Sequence, residues 1–402
     1  MNIVKLENSI LKGEVNIPPS KSAAHRALIC SFLSGGGKVS GIIDSSDMKA
    51  TTGALNALKN DEEVIDCIES GSTLRFIIPI AAALGKSVTF TGSGRLPQRP
   101  IREYITLLEE HGVKCESNGC LPLKIKGKLS GGVFKIRGDV SSQYVTGLLL
   151  ALPLLNEDSE IILTSPLQSK PYVDMTIQVM KDFGVEITES ENIYRIASNQ
   201  SYKPCDYKVE GDWSQAAFFL AAGAINGDIS VKGLDLNSTQ GDKEIVDILK
   251  RFGADIEVTN NFVRAKKSSL KGIEIDAQNI PDMVPALAVV AANAKGKTII
   301  KNAQRLRLKE SNRIESVVCN LKKMKINALE TPDGMIIEGS QAFGAKLEGY
   351  NDHRIVMAFS VAALFAKGET FISDAQSINK SYPSFFDDYN LLGGKADVIS
   401  NR

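Results

Sequence analysis

The chain has 402 residues, of which 43% are hydrophobic and 23% charged, and it carries 47 basic and 47 acidic side chains. This length and composition predict a globular protein of two or more domains and exclude an intrinsically disordered chain. A net charge of zero argues against nucleic-acid binding through a uniformly basic surface, although like charges can still be concentrated in one place. No apolar run is long enough to cross a bilayer and the first residues lack a secretory pattern, so we expect a cytoplasmic protein.

One pattern of elements occurs six times along the chain: a short alternating strand, a polar turn, an apolar helix and a second strand. The apolar helices are predicted, in chain order, at 22–33, 74–84, 144–155, 216–225, 283–294 and 355–366. Second strands are predicted at 160–163, 228–231, 297–300 and 369–372. Amphipathic helices that end at a glycine are predicted at 101–112, 175–184 and 245–253.

The first helix of each copy is apolar on nearly every side, which predicts that it lies in the interior with the sheets packed outside it. Six such copies predict an α/β fold of two similar domains with three copies each. Six scattered cysteines without a Cys-x-x-Cys pair indicate neither a disulfide framework nor a zinc site.

The first polar turn, Pro18–Arg26, stands at the N-terminal end of an apolar helix, where free N–H groups and the helix dipole favour anions. Lys21 adds a charge, and Arg26 lies one helical turn further on. A helix capped by Ser20 or Ser22, with solvated charges, would explain this turn equally well.

Two later turns contain more polar groups than helix capping requires. Ser141, Ser142 and Gln143 precede one apolar helix, and Asn351–Arg354 precedes another. Ligand hydroxyl or phosphate groups would account for the surplus of hydrogen-bonding side chains. Asp282 occupies the corresponding turn of the fifth copy.

The segment Arg307–Arg313 is densely charged. Lys309 and Arg313 are four residues apart and would share one face of a helix, with Glu310 beside both. The start of a solvated helix would show the same pattern. The sequence lacks the phosphate loop of nucleotide hydrolases and the Gly-x-Ser-x-Gly turn of serine hydrolases, so neither chemistry is indicated.

These motifs, in this order and spacing, resemble the 5-enolpyruvylshikimate-3-phosphate (EPSP) synthase family over essentially the whole chain. The matching segments are Pro19–Ser22 with His25 and Arg26, Gly71–Arg75, Pro97–Pro100, Ser141–Gln143, Ser169–Tyr172, Pro281–Asp282, Leu308–Ser311 with Arg313, Asn351–Arg354 and Asn379–Pro383. The resemblance implies two domains, each of three βαβαββ units with buried parallel helices and outer sheets, an inside-out α/β barrel. It places the first domain at 20–210 and the second at 1–19 and 211–402, with the active site in the cleft between them.

The resemblance also implies the reaction. The enolpyruvyl group of phosphoenolpyruvate is transferred to the 5-hydroxyl of shikimate 3-phosphate, phosphate is released, and a tetrahedral intermediate forms by addition–elimination on the way to chorismate and the aromatic amino acids. No cofactor, metal or covalent enzyme intermediate is implied, and the two substrates are the only partners. Neither nucleic acid nor membrane is expected, and the family is typically monomeric.

The resemblance assigns the functional residues one by one. It places shikimate 3-phosphate on Lys21, Ser22, Arg26, Ser141, Ser142, Gln143, Ser169, Asp282 and Lys309. It places phosphoenolpyruvate on Lys21, Gly71, Arg99, Gln143, Arg313, Arg354 and Lys380. The implied catalytic residues are Asp282 as the base, Glu310 as the proton donor, Lys309, Lys21 and His353. Glyphosate occupies the phosphoenolpyruvate position in this family, so we expect the protein to be a glyphosate target.

Two positions depart from the commonest family pattern, since Glu69 replaces an asparagine and Arg305 a smaller polar residue. One alternative is UDP-N-acetylglucosamine enolpyruvyl transferase, which typically has Lys-Asn where this chain has Lys21-Ser22, and a reactive cysteine in the loop where residues 91–99 have none. The other is a non-catalytic repeat protein that binds anions. The carboxylates Asp282 and Glu310 among so many cations argue against it.

Overall fold

The computed structural model describes residues 2–198 and 200–400. The chain forms two compact units. The central unit is Pro19–Val209, and the terminal unit takes the chain up to Pro18 and again from Glu210 onward. The chain therefore leaves the terminal unit after its first strands and returns to it once. The domain boundaries at residues 20 and 210 stay a prediction.

The strands and helices are numbered along the chain. The strands are β1 (Asn2–Leu6), β2 (Leu11–Asn16), β3 (Val39–Ser40), β4 (Val64–Asp66), β5 (Val88–Thr91), β6 (Lys114–Glu116), β7 (Leu123–Lys126), β8 (Gly132–Ile136), β9 (Ser159–Leu163), β10 (Thr188–Ser190), β11 (Ile193–Ile196), β12 (Tyr207–Lys208), β13 (Gly227–Lys232), β14 (Asp255–Val258), β15 (Phe262–Lys266), β16 (Glu274–Asp276), β17 (Gly296–Lys301), β18 (Asn327–Thr331), β19 (Gly334–Gly339), β20 (Lys346–Leu347), β21 (Thr370–Ile372) and β22 (Ala396–Ser400). The helices are α1 (Lys21–Leu33), α2 (Ser46–Lys59), α3 (Gly71–Ala83), α4 (Arg102–Glu110), α5 (Ser142–Ala151), α6 (Lys170–Asp182), α7 (Trp213–Asn226), α8 (Ile245–Phe252), α9 (Val284–Asn293), α10 (Arg313–Lys323), α11 (His353–Ala362) and α12 (Phe385–Leu391).

The four-stranded sheets of both units share one topology. In the sheet β4-β5-β7-β6 the first two strands are parallel, and the last two form an antiparallel hairpin whose inner strand pairs with β5. The sheet β16-β17-β19-β18 has the same arrangement. A helix follows each of the first two strands in both sheets, so these two copies read βαβαββ, as predicted.

Three sheets use strands from distant parts of the chain. The N-terminal strands β1 and β2 complete the sheets of α11 and α7, in the orders β20-β21-β1-β22 and β14-β15-β13-β2. In the central unit β12 pairs with β3 in a two-stranded sheet, so the copy that contains α1 lacks the final hairpin. The strand before an apolar helix therefore does not always belong to the same copy as that helix.

The apolar helices lie in the interior, which confirms the prediction. Every residue of α7 and of α11 is buried, and α3 buries all of its residues except Ser72. A helix that is apolar on all sides is stable in water only when other elements cover every side of it. The predicted second strands correspond to β9, β13, β17 and β21.

Hydrogen bonds bring the first turns of the buried helices together within each unit. In the terminal unit Arg354 of α11 donates to Ser214 of α7 and to Asp282, which precedes α9. In the central unit Gln143 of α5 donates to Ser72 of α3. Three helix N-termini therefore converge at one end of the terminal unit. None of the described helices combines the length and apolarity needed to cross a membrane.

Candidate active site

The terminal unit contains a cluster of ion pairs around Arg313, the first residue of α10. The Arg313 side chain is 1% exposed and touches three carboxylates. Its Nη1 donates to Asp282 Oδ1 over 3.0 Å, and its Nη2 donates to Glu310 Oε2 over 2.7 Å. Its Nε donates to Asp352 Oδ2 over 2.8 Å. One buried guanidinium therefore brings the predicted base, Asp282, and the predicted acid, Glu310, into one hydrogen-bonded group.

The carboxylate of Asp352 holds the Arg313 side chain in position. Its carboxylate is fully buried, caps α11 by accepting from the Arg354 backbone N–H, and accepts from the Ser311 hydroxyl over 2.9 Å. The same carboxylate therefore joins the start of α11 to the start of α10. Such a carboxylate at a helix N-terminus is stabilised by the helix dipole as well as by Arg313. Asp352 was not among the predicted site residues, although it lies within the motif Asn351–Arg354.

Arg354 holds Asp282 from the other side. Its Nη2 donates to Asp282 Oδ2 and to the Ser214 hydroxyl, each over 3.0 Å, and its Nη1 donates to the Asp282 carbonyl oxygen over 3.1 Å. Ser214 is in turn fixed by Asp212, the cap of α7. Lys309 Nζ is a third cation, 3.6 Å from Asp282 Oδ1. Asp282 thus stands among three positive charges.

This charge distribution shifts the pKa of two groups. Burial alone would raise the pKa of Asp282, but Arg354, Lys309 and Arg313 together hold it well below its ordinary value. Burial lowers the pKa of the Lys309 ammonium to about 8, and the Asp282 carboxylate only partly offsets that effect. At neutral pH the cluster therefore contains an ionised Asp282 and a Lys309 close to its titration point.

Lys309 and Arg313 do not share a helix face, so that interpretation was wrong. The 3-10 turn Gln304–Leu308 ends before Lys309, and α10 begins only at Arg313. Asn312 caps α10 by accepting from the Glu315 N–H, which sets the helix start at that point. The extended backbone at Lys309 still brings its ammonium to Asp282.

His353 and Lys380 lie at the edge of the same cluster. His353 is buried, with its Nδ1 3.9 Å from Asp352 Oδ1. Lys380 ends the 3-10 turn Ala375–Lys380, and its Nζ donates to the Asn351 carbonyl oxygen over 2.7 Å. His353 therefore adjoins the cluster through Asp352, and Lys380 contacts the backbone of the residue that precedes Asp352.

In the central unit Lys21 is the first residue of α1, and Ser20 rather than Ser22 caps the helix. Lys21 Nζ pairs with Asp47 Oδ2 over 2.7 Å, and each side chain is only 13% exposed. Asp47 lies in the first turn of α2, where the helix dipole favours a carboxylate. Sequence reasoning did not select Asp47, because it lies outside the six polar turns.

Arg26 is almost completely buried one turn beyond Ser22. Its Nη1 donates to the Ser22 carbonyl oxygen, its Nη2 to the Tyr172 carbonyl oxygen and its Nε to the Thr176 hydroxyl, over 2.7 to 2.8 Å. The guanidinium also lies over the Phe76 ring, 5.1 Å from its centroid. Burial lowers the pKa of Arg26 to about 10, which leaves it charged at neutral pH.

A chain of hydroxyl groups connects α1 to α3. His25 Nδ1 lies 2.6 Å from the Thr51 hydroxyl, which lies 2.7 Å from the Thr73 hydroxyl. Thr73 donates to Ser70, the cap of α3. Burial, and then the charges of Lys21 and Arg26, hold the pKa of His25 well below its ordinary value. His25 is therefore a neutral core residue that connects α1 to the start of α3 through Thr51 of α2.

Gly71 is the first residue of α3 and lies directly against two arginines. A Cβ added at Gly71 would lie in contact with Arg99 Nη1, 2.8 Å from Arg99 Cζ and 2.9 Å from Arg75 Nη1. Arg75 donates to Gln143 Oε1 over 3.3 Å and stacks on Tyr144, 5.4 Å from its centroid. Any larger residue at position 71 would therefore displace the Arg99 guanidinium.

The remaining predicted residues occupy helix starts. Ser141 caps α5 by accepting from the Gln143 N–H, and Ser142 is buried in the first turn. Gln143 donates from Nε2 to Ser72 over 3.0 Å. Ser169 precedes α6 with a left-handed backbone, φ 57°. Lys21, Gln143 and Ser169 therefore lie at helix starts of the central unit, and Arg26 contacts the first turn of α6 through Tyr172.

Glu69 and Arg305, the two residues that depart from the family pattern, each contact a loop or turn next to a predicted site residue. The Glu69 carboxyl lies against Gly94, in the loop that leads to Arg99. Arg305 is buried and donates from Nη2 to the Gln278 carbonyl oxygen over 2.7 Å, which fixes the turn before Lys309. Among the described residues no group of three His, Cys, Asp or Glu side chains could hold a metal ion.

Comparison with solved structures identifies the fold. The chain resembles EPSP synthase from Acinetobacter baumannii with a TM-score of 0.82 and 25% identity, and each chain is covered in full. It also resembles the enolpyruvyl transferase NikO from Streptomyces tendae with a TM-score of 0.80, covering 100% of this chain and 99% of NikO, although only 16% of residues are identical. The fold is therefore that of the enolpyruvyl transferases.

Sequence comparison identifies the family. Residues 7–64 and 56–389 match the family model described as EPSP synthase (3-phosphoshikimate 1-carboxyvinyltransferase). A 3-phosphoshikimate 1-carboxyvinyltransferase from Clostridium novyi is 43% identical, over 100% of this chain and 99% of that relative. One from Clostridium perfringens is 44% identical over 98% of this chain and 99% of its own. The chain belongs to the EPSP synthase family.

Family membership confirms the predicted enzyme and its reaction. The chain is a transferase of the shikimate pathway, which transfers the enolpyruvyl group of phosphoenolpyruvate to shikimate 3-phosphate. Membership therefore decides against the UDP-N-acetylglucosamine enzyme and against a non-catalytic repeat protein. The cation clusters of both units suit two substrates that each carry several negative charges.

Proposed function

We propose that the transfer proceeds by addition and elimination, with Asp282 as the base. Asp282 takes the proton of the 5-hydroxyl of shikimate 3-phosphate while that oxygen bonds to C2 of phosphoenolpyruvate, and Glu310 protonates C3. The resulting tetrahedral intermediate then loses phosphate from C2 and a proton from the new methyl group, which restores the double bond. The observation that carries this proposal is the contact of Arg313 with both Asp282 and Glu310.

The ion pairs of Asp282 support a role for the substrate in activating the base. Its low pKa makes it a weak proton acceptor while Arg313 and Arg354 neutralise it. Both arginines are also the groups that we propose to bind phosphoenolpyruvate. When they turn to the anionic substrate, the pKa of Asp282 rises toward that of a useful base. The proton acceptor would thus become active only after phosphoenolpyruvate is bound.

The other predicted residues complete the proposal. Shikimate 3-phosphate is bound by Lys21, Ser22, Arg26, Ser141, Ser142, Gln143, Ser169, Asp282 and Lys309. Phosphoenolpyruvate is bound by Lys21, Gly71, Arg99, Gln143, Arg313, Arg354 and Lys380. His353 orients the phosphoenolpyruvate side, and Lys309 assists proton movement. We further propose two domains, at 20–210 and at 1–19 with 211–402, in a cytoplasmic monomer.

Gly71 supports the proposal that glyphosate inhibits the enzyme at the phosphoenolpyruvate position. Gly71 has no Cβ, and this leaves room for the Arg99 guanidinium beside the first turn of α3. A small anion can then contact Arg99 and the free N–H groups of that turn together.

Phosphate release in D₂O tests the mechanism. With both substrates present, we expect phosphate release together with deuterium in the methylene group of the product. In D₂O the methyl group of the intermediate receives one deuterium from the solvent. Elimination then removes one of the three hydrogen atoms of that group, so part of the product retains the deuterium. The controls contain either substrate alone. Phosphate release from phosphoenolpyruvate alone, or a product without deuterium, would contradict addition–elimination.

The activity above neutral pH is expected to depend on Lys309. Its ammonium has a pKa of about 8, so it is charged below that pH and loses its proton as the pH rises through it. We expect kcat/KM, which reports the free enzyme, to fall above about pH 8. In Lys309→Arg this fall should move to higher pH, because a guanidinium stays protonated.

The control for this pH profile is Lys301→Arg, which makes the same change at an exposed lysine that pairs with Glu274 on a sheet surface. Its kcat/KM should fall at the same pH as that of the unmodified chain. A Lys309→Arg profile identical to that of the unmodified chain would remove Lys309 from the rate-determining protonation.

A further inference from the structure

A backbone carbonyl group helps to hold the side chain of Lys380 in place. Its Nζ donates to the carbonyl oxygen of Asn351 over 2.7 Å, and the residue is only 8% exposed. A lysine ammonium sits on four rotatable bonds, so a fixed acceptor restricts the positions it can take. The direction of the Asn351 carbonyl group therefore helps to set where the charge of Lys380 lies.

That direction depends on an unusual stretch of backbone. Tyr350 and Asn351 are consecutive and both left-handed, with φ 55° and 49°. Non-glycine residues rarely adopt this conformation, although asparagine tolerates it better than most. Two such residues in succession persist only when the surrounding structure holds them.

Ser373 and Asp374 form the second segment, and they hold this backbone in place through hydrogen bonds. Asp374 Oδ2 accepts from the Asn351 N–H over 3.2 Å, and the Ser373 hydroxyl accepts from the Gly349 N–H over 3.1 Å. Ser373 also donates to Asp374 Oδ2 over 3.2 Å. Two side chains of one segment therefore fix the backbone of the other at two successive points.

The two segments form a closed arrangement. Asp374 is itself left-handed, with φ 56°, and directly precedes the 3-10 turn Ala375–Lys380. The start of this turn thus holds the loop at Asn351, and the end of the turn presents Lys380 to the carbonyl group of that same loop. A change at either Asn351 or Asp374 should reach the position of the ammonium.

We propose that Asn351 and Asp374 are positioning residues that direct the Lys380 ammonium toward phosphoenolpyruvate. This rests on the proposed assignment of Lys380 to that substrate. Neither residue needs to touch the substrate, since both act through the backbone at position 351. When the Lys380 ammonium is misplaced, its hydrogen bond to phosphoenolpyruvate is lost. Loss of one hydrogen bond to a charged group raises KM for phosphoenolpyruvate roughly tenfold or more.

A pair of substitutions at Asn351 tests the inference. Glycine adopts the left-handed backbone readily, whereas valine strongly disfavours it, and both remove the asparagine side chain. We expect Asn351→Val to raise KM for phosphoenolpyruvate about tenfold, with little change in KM for shikimate 3-phosphate. Asn351→Gly should stay close to the unmodified chain. Equal KM values for both variants would overturn the inference.

Lys325→Val is the matched control, because Lys325 is also left-handed, with φ 67°, and lies exposed in the turn between α10 and β18. Thermal unfolding of both valine variants shows how much of each effect is loss of stability. If Lys325→Val raised KM for phosphoenolpyruvate as strongly as Asn351→Val, general strain would explain the result and the inference would fail.

Asp374 gives an independent test if Asn351→Val does not fold. Asp374→Asn keeps an acceptor oxygen and tolerates the left-handed backbone, whereas Asp374→Ala loses the acceptor. We expect KM for phosphoenolpyruvate to rise in Asp374→Ala and to stay near its normal value in Asp374→Asn. A rise of the same size in both variants would contradict the proposed positioning role.

Lys380→Met separates this inference from the proposed function. If it leaves KM for phosphoenolpyruvate unchanged, the assignment of Lys380 to that substrate fails. If it raises KM, the double variant Asn351→Val/Lys380→Met should show no further rise, because both changes remove one interaction. Additive effects in the double variant would overturn the positioning role alone.

Discussion

The Asp282→Asn variant is expected to bind both substrates and to lose about a hundred- to ten-thousandfold of kcat, the range typical for loss of a general base. Asparagine has the shape of aspartate and keeps an oxygen that can accept from Arg354 or Arg313, so the geometry of the cluster should survive. It cannot take a proton from the 5-hydroxyl. Steady-state kinetics and calorimetric titration with each substrate measure the two parts of the prediction.

The KM for phosphoenolpyruvate gives this experiment a second readout. Asp282 neutralises both Arg313 and Arg354 before the substrate arrives. When asparagine replaces it, the two guanidinium groups lose a competing anion, so we expect KM for phosphoenolpyruvate to stay equal or fall. A purely structural aspartate would instead weaken binding when it is replaced.

The control is Asp228→Asn, which makes the same change in the same unit. Asp228 pairs with Arg264 through two hydrogen bonds on a sheet surface, where the pair is partly exposed. Its kcat should remain normal. If Asp282→Asn retained a kcat close to that of this control, Asp282 would have no part in proton transfer.

The buried helices of this fold could be predicted from the sequence because apolar residues cover most of their sides, whereas α2 and α12 were not predicted. α7, for example, contains no charged side chain, and no position other than the interior could accommodate it. The exchange of strands between copies could not be predicted from the pattern alone. β2 leads along the chain into α1 but pairs with β13, and an alternating strand has the same appearance beside either partner.

The site residues were found unevenly, for a physical reason. Lysines and arginines at the starts of apolar helices are conspicuous, because a charge next to an apolar run has few structural explanations. The carboxylates that hold them are not. Asp352 has the appearance of an ordinary helix cap, and only the structure shows that it also binds Arg313. Asp47 lies outside the six polar turns, and only the structure shows it in the first turn of α2, paired with Lys21.

The Arg313→Met variant is expected to lower the free energy of unfolding by about 3–5 kcal/mol, the cost of removing one partner from a buried ion pair. Methionine fills much of the space of the arginine stem, so little of the loss comes from a cavity. The loss comes from Asp352, whose fully buried carboxylate would remain without its guanidinium partner. Urea unfolding at neutral pH measures it. Arg264→Met, on the exposed pair with Asp228, is the control and should change stability little.

A double variant decides whether the buried charge causes the loss. Asp352→Asn removes the charge and keeps an oxygen that can accept from the Arg354 N–H and cap α11. In Arg313→Met/Asp352→Asn we therefore expect part of the lost stability to return. If the two changes simply add, the damage comes from packing around α10 rather than from an uncompensated carboxylate. Activity should not return in either case, because the double variant still lacks the guanidinium that joins Asp282 to Glu310.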